Sequence, residues 1–195
     1  ADRPRADRQV RRRRGGSAGA VRPARIRNSG SALHLMLLAR FRLLVATLWA
    51  GSLWAIGYLA APTLFATLAD RALAGTIAAS LFNNLAWLSI ACALVMLVLI
   101  WVSKGTETAG IFAGSARNSE VRSRKTLLAV VLVMLGCTLV SHFGLQPMMA
   151  ALRTAAGPGG VMDAAAKNEF GILHGVSSGL FLVQSLLAAW LVIKQ

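Results

Sequence analysis

Four apolar runs of roughly bilayer length alternate with polar, mostly basic segments along this chain. The first, LLVATLWAGSLWAIGYLAAP, follows Arg40 and Arg42 and reaches Pro62. At 1.5 Å per helical residue, about 20 residues match the ~30 Å hydrocarbon core of a membrane. The second, LAWLSIACALVMLVLIWVS, follows Asn83 and Asn84 and closes at Lys104. The third runs from Thr126 past His142 to Gln146, and the fourth, GILHGVSSGLFLVQSLLAAWLVI, ends near Trp190 and Lys194. Helical spans are therefore expected at about 43–62, 84–103, 126–146 and 171–192.

The segments between them carry boundary signals. From Thr63 to Phe82 the only charges are Asp70 and Arg71, so this stretch is expected to form a helical, partly interfacial outer cap, with Asp70 as the N-cap of the next helix. Lys104 to Lys125 is basic and rich in Gly and Ser, a connector rather than a domain. Beyond Met149 the GPGG run at Gly157 to Gly160 breaks the chain, and Asp163 is placed to cap a helix that continues through Phe170 into the fourth span. The expected fold class is all-α, an integral membrane four-helix bundle.

Composition agrees with the pattern. With 56% hydrophobic and 14% charged residues among 195, and a mean hydropathy of +0.60, the chain is too apolar for an ordinary soluble domain. The net charge of +14 raises nucleic acid as a partner, but 12 of the 21 Lys and Arg residues precede Leu43 and most others flank the apolar runs. Nucleic-acid readers carry their basic residues on a folded face with stacking aromatics, so the partner expected is the lipid bilayer and no nucleic acid. Basic segments mark the cytoplasmic side, which predicts an N-in/C-in orientation. Residues 1–35 form an Arg-rich arm with too little apolar content to fold, expected to be disordered. Met36, followed by LLARFRLL, reads as a natural beginning, with 36–195 as the transmembrane domain. The run Arg11 to Arg14 resembles a signal, but the apolar stretch after it lacks a small-residue cleavage site and is long enough to span. Cys92 and Cys137 both fall inside apolar runs and are expected to pack as small apolar residues.

Candidate chemistry gathers at the outer ends of the spans. Thr138, His142 and Gln146 recur at i, i+4 and i+8, as do His174 and Ser178 at i and i+4, and Tyr58, Asn83 and Asn84 reach the same depth. Polar groups in a bilayer face the bundle interior or a wet cavity, so Tyr58, Asn83, Asn84, His142, Gln146, His174 and Ser178 are expected to converge. The reading favoured is interhelical hydrogen bonding, with no cofactor. An alternative is haem or copper held by His142, His174 and Met148, since imidazole and thioether suit both, although no local HxxxH or CxxC spacing pairs the ligands. A polar pathway for a small solute is the other. Gly171, Gly175 and Gly179 form a GxxxGxxxG seam expected to support close helix packing, either within the chain or in a homo-oligomer. Gln184 and Ser185 are the strongly polar pair near the midplane.

The stretches LWAGSLWAIGYLAAPTLFATLADRALAGTIAASLF, SHFGLQPMM and FGILHGVSS resemble the transmembrane protein 205-like family of small four-helix membrane proteins, over about Leu43 to Trp190. The features that carry the resemblance are Ala61-Pro62 with Leu64-Phe65, Ala74-Gly75, Leu81-Phe82, His142, Pro147 and Leu173-His174-Gly175. The resemblance implies a bacterial member with a four-helix membrane fold and assigns no reaction. The function expected is thus that of a non-enzymatic inner-membrane protein with an outer polar cluster, the alternatives being a haem or copper protein and a small-solute transporter or resistance factor.

Overall fold

The computed structural model describes residues 24–107, 114–157 and 161–195. It is all-helical there: α1 (Ala24–Trp54), π1 (Ala55–Ala60), α2 (Ala61–Thr67), α3 (Arg71–Glu107), α4 (Gly114–Leu139), π2 (Val140–Leu145), α5 (Gln146–Ala155) and α6 (Ala164–Ile193). Four apolar helical stretches are long enough to cross a membrane, Met36–Thr67, Arg71–Ser103, Val121–Ala155 and Ala164–Ile193. The chain is a multi-pass membrane protein on that evidence of length and composition.

The helices outrun the expected spans. At 37 residues, α3 is about 55 Å long, well beyond the ~30 Å apolar core. It starts at Arg71, so the second half of the expected helical cap and the second span form one continuous helix. Only Leu68 to Asp70 interrupts the helical path there, and the Asp70 carboxylate accepts from the backbone N–H of Ala72 (2.8 Å) and Leu73 (3.1 Å), as an N-cap does. Asp163 caps α6 likewise, accepting from Ala166 N at 2.7 Å. At the other end α1 begins at Ala24, so helix covers residues 24–35 of the expected disordered arm; residues 1–23 lie outside the described residues.

Neither Pro62 nor Pro147 ends its span. Each sits two residues beyond a six-residue π-helical turn, and the residue between donates its N–H five residues back: Ala61 to Ile56 O, Gln146 to Ser141 O. A proline lacks the N–H and its ring clashes with the carbonyl four residues earlier. Widening the preceding turn removes that conflict and lets the helix continue. After Pro147, α5 runs to Ala155; Gly157, at φ 69°, then turns the chain in a conformation that costs glycine little.

The spans close in the ring order α1, α3, α4, α6. As the chain advances from His142 to Arg153, its partner on α3 moves back from Trp87 to Gly75, so neighbouring spans run antiparallel. The core is apolar and closely packed around Trp49, Leu53, Met96, Ile100, Val131, Met134, Ala188 and Leu191. Cys92 belongs to this core, and both cysteines are free thiols. Leu44, Leu48, Leu94, Val98, Leu132, Leu182 and Leu186 face outward, an arrangement a bilayer solvates and water does not.

Candidate functional site

Two helical faces meet at the end of the bundle away from α3's junction with α4. On the N-terminal half of α3, Thr76, Ala79, Ser80, Asn83 and Asn84 follow the i, i+3, i+4, i+7, i+8 rhythm that puts them on one side of a helix. Ala150, Arg153 and Thr154 do the same on α5. Together they line an open groove of about 610 Å³.

Arg153 joins the two walls. Its Nε donates to Met149 O at 3.3 Å on its own helix, and its Nη1 donates to Gly75 O at 3.2 Å on α3. A guanidinium carries five N–H donors, so three remain for a ligand. The hydroxyls contribute differently. Thr76 donates to Ala72 O (3.0 Å), Ser80 to Thr76 O (3.3 Å) and Thr154 to Ala150 O (3.0 Å), which commits their hydrogens and leaves lone pairs facing out. The donors left in the groove are Arg153 and the exposed amides of Asn83 and Asn84. Among the described residues no carboxylate lines it, and the charge there is that of Arg153.

Of the seven residues expected to converge, only Asn83 and Asn84 share this groove. His142 stands in π2 with its ring 5.7 Å from Trp87 and 4.6 Å from Phe143, edge to face, and its Nδ1 is buried without a hydrogen-bond partner. His174 lies on the exposed side of α6, stacked on Phe170 at 6.2 Å and 5°. No hydrogen bond or ring contact links the two imidazoles. Tyr58 is half exposed and edge-on to Phe181 at 5.9 Å; Gln146 is half buried just before Pro147; Ser178 is exposed on α6. Of the thioethers, Met148 is half exposed on α5, while Met149 is the buried one. Among the described residues no group of three or more His, Cys, Asp or Glu is placed to hold a metal ion.

The glycine seam also differs from the packing role expected within the chain. Gly171, Gly175 and Gly179 are exposed, and a β-carbon at any of them would meet nothing within 4 Å. They share the outward face of α6 with His174 and Ser178.

The tightest polar contact lies deeper. Gln184 donates its Nε2 to Thr138 Oγ1 and, at 3.2 Å, to Met134 O, while Thr138 donates to Met134 O at 3.0 Å. All of this is buried and ties α6 to α4, whereas the neighbouring Ser185 hydroxyl has no partner. Sequence reasoning located Gln184 by depth but missed Arg153. Its signal was a single cation one turn and a half beyond Pro147, in a short helix with a polar edge.

A family model described as "Domain of unknown function (DUF4149)" matches residues 44–158. That range contains both walls of the groove and both π turns, and stops before α6. No curated protein matches the chain, and no solved structure does.

Proposed function

This chain belongs to the DUF4149 family, whose function is unknown, and we propose from that premise that it is a non-enzymatic protein of the bacterial cytoplasmic membrane, N-in/C-in, that binds a small anionic solute on its outward face. The observation that carries the proposal is Arg153, anchored by two backbone carbonyls so that its remaining donors and the Asn83 and Asn84 amides open into one groove. Anchoring removes much of the side-chain entropy that an exposed arginine would lose on binding. A fork of N–H donors beside two amides suits a carboxylate or phosphate group.

The orientation rests on charge. Arg40, Arg42, Lys104, Arg117, Arg122, Arg124, Lys125 and Lys194 belong to one end, while Arg71, Arg153 and Lys167 are the cations of the other among residues 36–195. The transmembrane protein 205-like resemblance is part of the same proposal; it implies a four-helix membrane fold and assigns no reaction. Thermal unfolding of the detergent-solubilised protein tests the groove, with inorganic phosphate and acetate as probes and chloride as the ionic-strength control. Saturable stabilisation by either anion is expected in the wild type and is lost in Arg153→Gln. An equal response of both proteins rules the groove out as the anion site.

A further inference from the structure

At the opposite end of the bundle, α3 and α4 leave a second groove of about 690 Å³, and we propose that it holds one anionic phospholipid. Leu97, Val98, Ile100 and Trp101 form one wall, and Val121, Arg124, Lys125 and Leu128 the other. Its composition is graded. The part that runs toward the membrane interior is aliphatic, and the two cations stand together where α4 enters the membrane.

This grading selects the occupant. Leu97, Val98 and Leu128 offer a partly exposed aliphatic strip between two adjacent helices, which is the shape an acyl chain fills and gains free energy by covering. Trp101 is 74% exposed beside it, an amphipathic ring at the depth where such rings meet headgroups. Arg124 supplies a planar fork and Lys125 a mobile point charge, a pair suited to a phosphodiester, and among the described residues no acidic side chain lines the groove. Basic pockets between helices at a membrane surface take acidic lipid headgroups by this combination. A soluble anion would use only the cations and leave the aliphatic strip uncovered. A helix from another protein would have to place a carboxylate at the interface and still leave Trp101 room, which nothing in the groove favours. The site is independent of the outer groove and of which face of the membrane it occupies.

Native mass spectrometry of the full chain tests this. The protein is delipidated in detergent, then equilibrated with equal amounts of phosphatidylglycerol and phosphatidylcholine of identical acyl chains. The expected result is a first adduct that favours phosphatidylglycerol by roughly thirtyfold, the order given by two cations near a membrane surface. The double variant Arg124→Gln/Lys125→Gln should bind both lipids alike. Arg122→Gln removes an exposed cation of the same helix that does not line the groove, and it should keep the preference. Three outcomes overturn the proposal: equal adducts on the wild type, an Arg122→Gln loss as large as that of the double variant, or displacement of phosphatidylglycerol by an equal concentration of glycerol phosphate.

Discussion

Arg153 and Gly75 are 78 positions apart in the chain, yet the guanidinium of the first donates to the carbonyl of the second at 3.2 Å. The contact fixes a ten-residue helix, α5, against the N-terminal half of α3, and so builds the groove. Arg153→Met keeps the aliphatic stem and removes the donors. It should lower stability in detergent by about 1.5–3 kcal/mol, the scale of a hydrogen bond to a charged group. Arg153→Lys keeps the charge without the fork and should fall between the two. A Met variant as stable as the wild type in thermal or denaturant unfolding would show that the contact holds nothing together.

Phe181 of α6 rests on the backbone of π1 at Gly57, where a β-carbon would overlap the ring. The ring is also edge-on to Tyr58 and to Phe82 (5.7 Å, 89°), so it has little room to retreat. Gly57→Ala should therefore destabilise by about 1–3 kcal/mol, as overpacking does. Phe181→Leu made in the same chain should recover part of that loss, a non-additivity readable in unfolding midpoints. Additive losses would mean that the two positions do not press on each other.

The four spans, both aspartate caps and the continuous run into α6 were legible in the sequence because each depends on local pattern: length of apolar run, Asp before a helix, GPGG between helices. What was not legible depends on helical phase. Helix α6 carries polar residues on more than one side, so its sequence alone does not say which side meets the bundle; the structure turns Gln184 inward and His174 outward. Pro62 and Pro147 read as helix ends because a sequence does not display the widened turns that absorb them. The groove fell between these cases. The Thr76–Ser80–Asn83–Asn84 face was readable by its period, but its partner Arg153 is set by tertiary packing alone.

His142 and His174 keep separate aromatic company, so their effects should add. His142→Ala loses the Trp87 and Phe143 contacts and should cost about 0.5–1.5 kcal/mol. His174→Ala, at an exposed site, should cost less. The double variant should equal the sum within about 0.5 kcal/mol. A sub-additive double variant, read in the same unfolding assay, would restore a shared histidine site.

Gln184→Leu removes the buried amide that bridges to Thr138 and Met134. The expected loss is about 0.6 kcal/mol and at most about 1.7, the range of interhelical hydrogen bonds in membranes, because Thr138 still satisfies the Met134 carbonyl. A loss beyond that range in detergent unfolding would point to a role in packing larger than one bridge.

Asn83→Cys, made in a chain whose Cys92 and Cys137 are replaced by alanine, examines the proposed outward anion site at the groove's own wall. The measurement is the rate at which a membrane-impermeant maleimide modifies Cys at position 83 in spheroplasts, with and without inorganic phosphate. The account predicts modification in intact spheroplasts, slowed saturably by phosphate, with no slowing once Arg153 is also changed to Gln. Modification only after the membrane is opened, or a rate indifferent to phosphate, would contradict it.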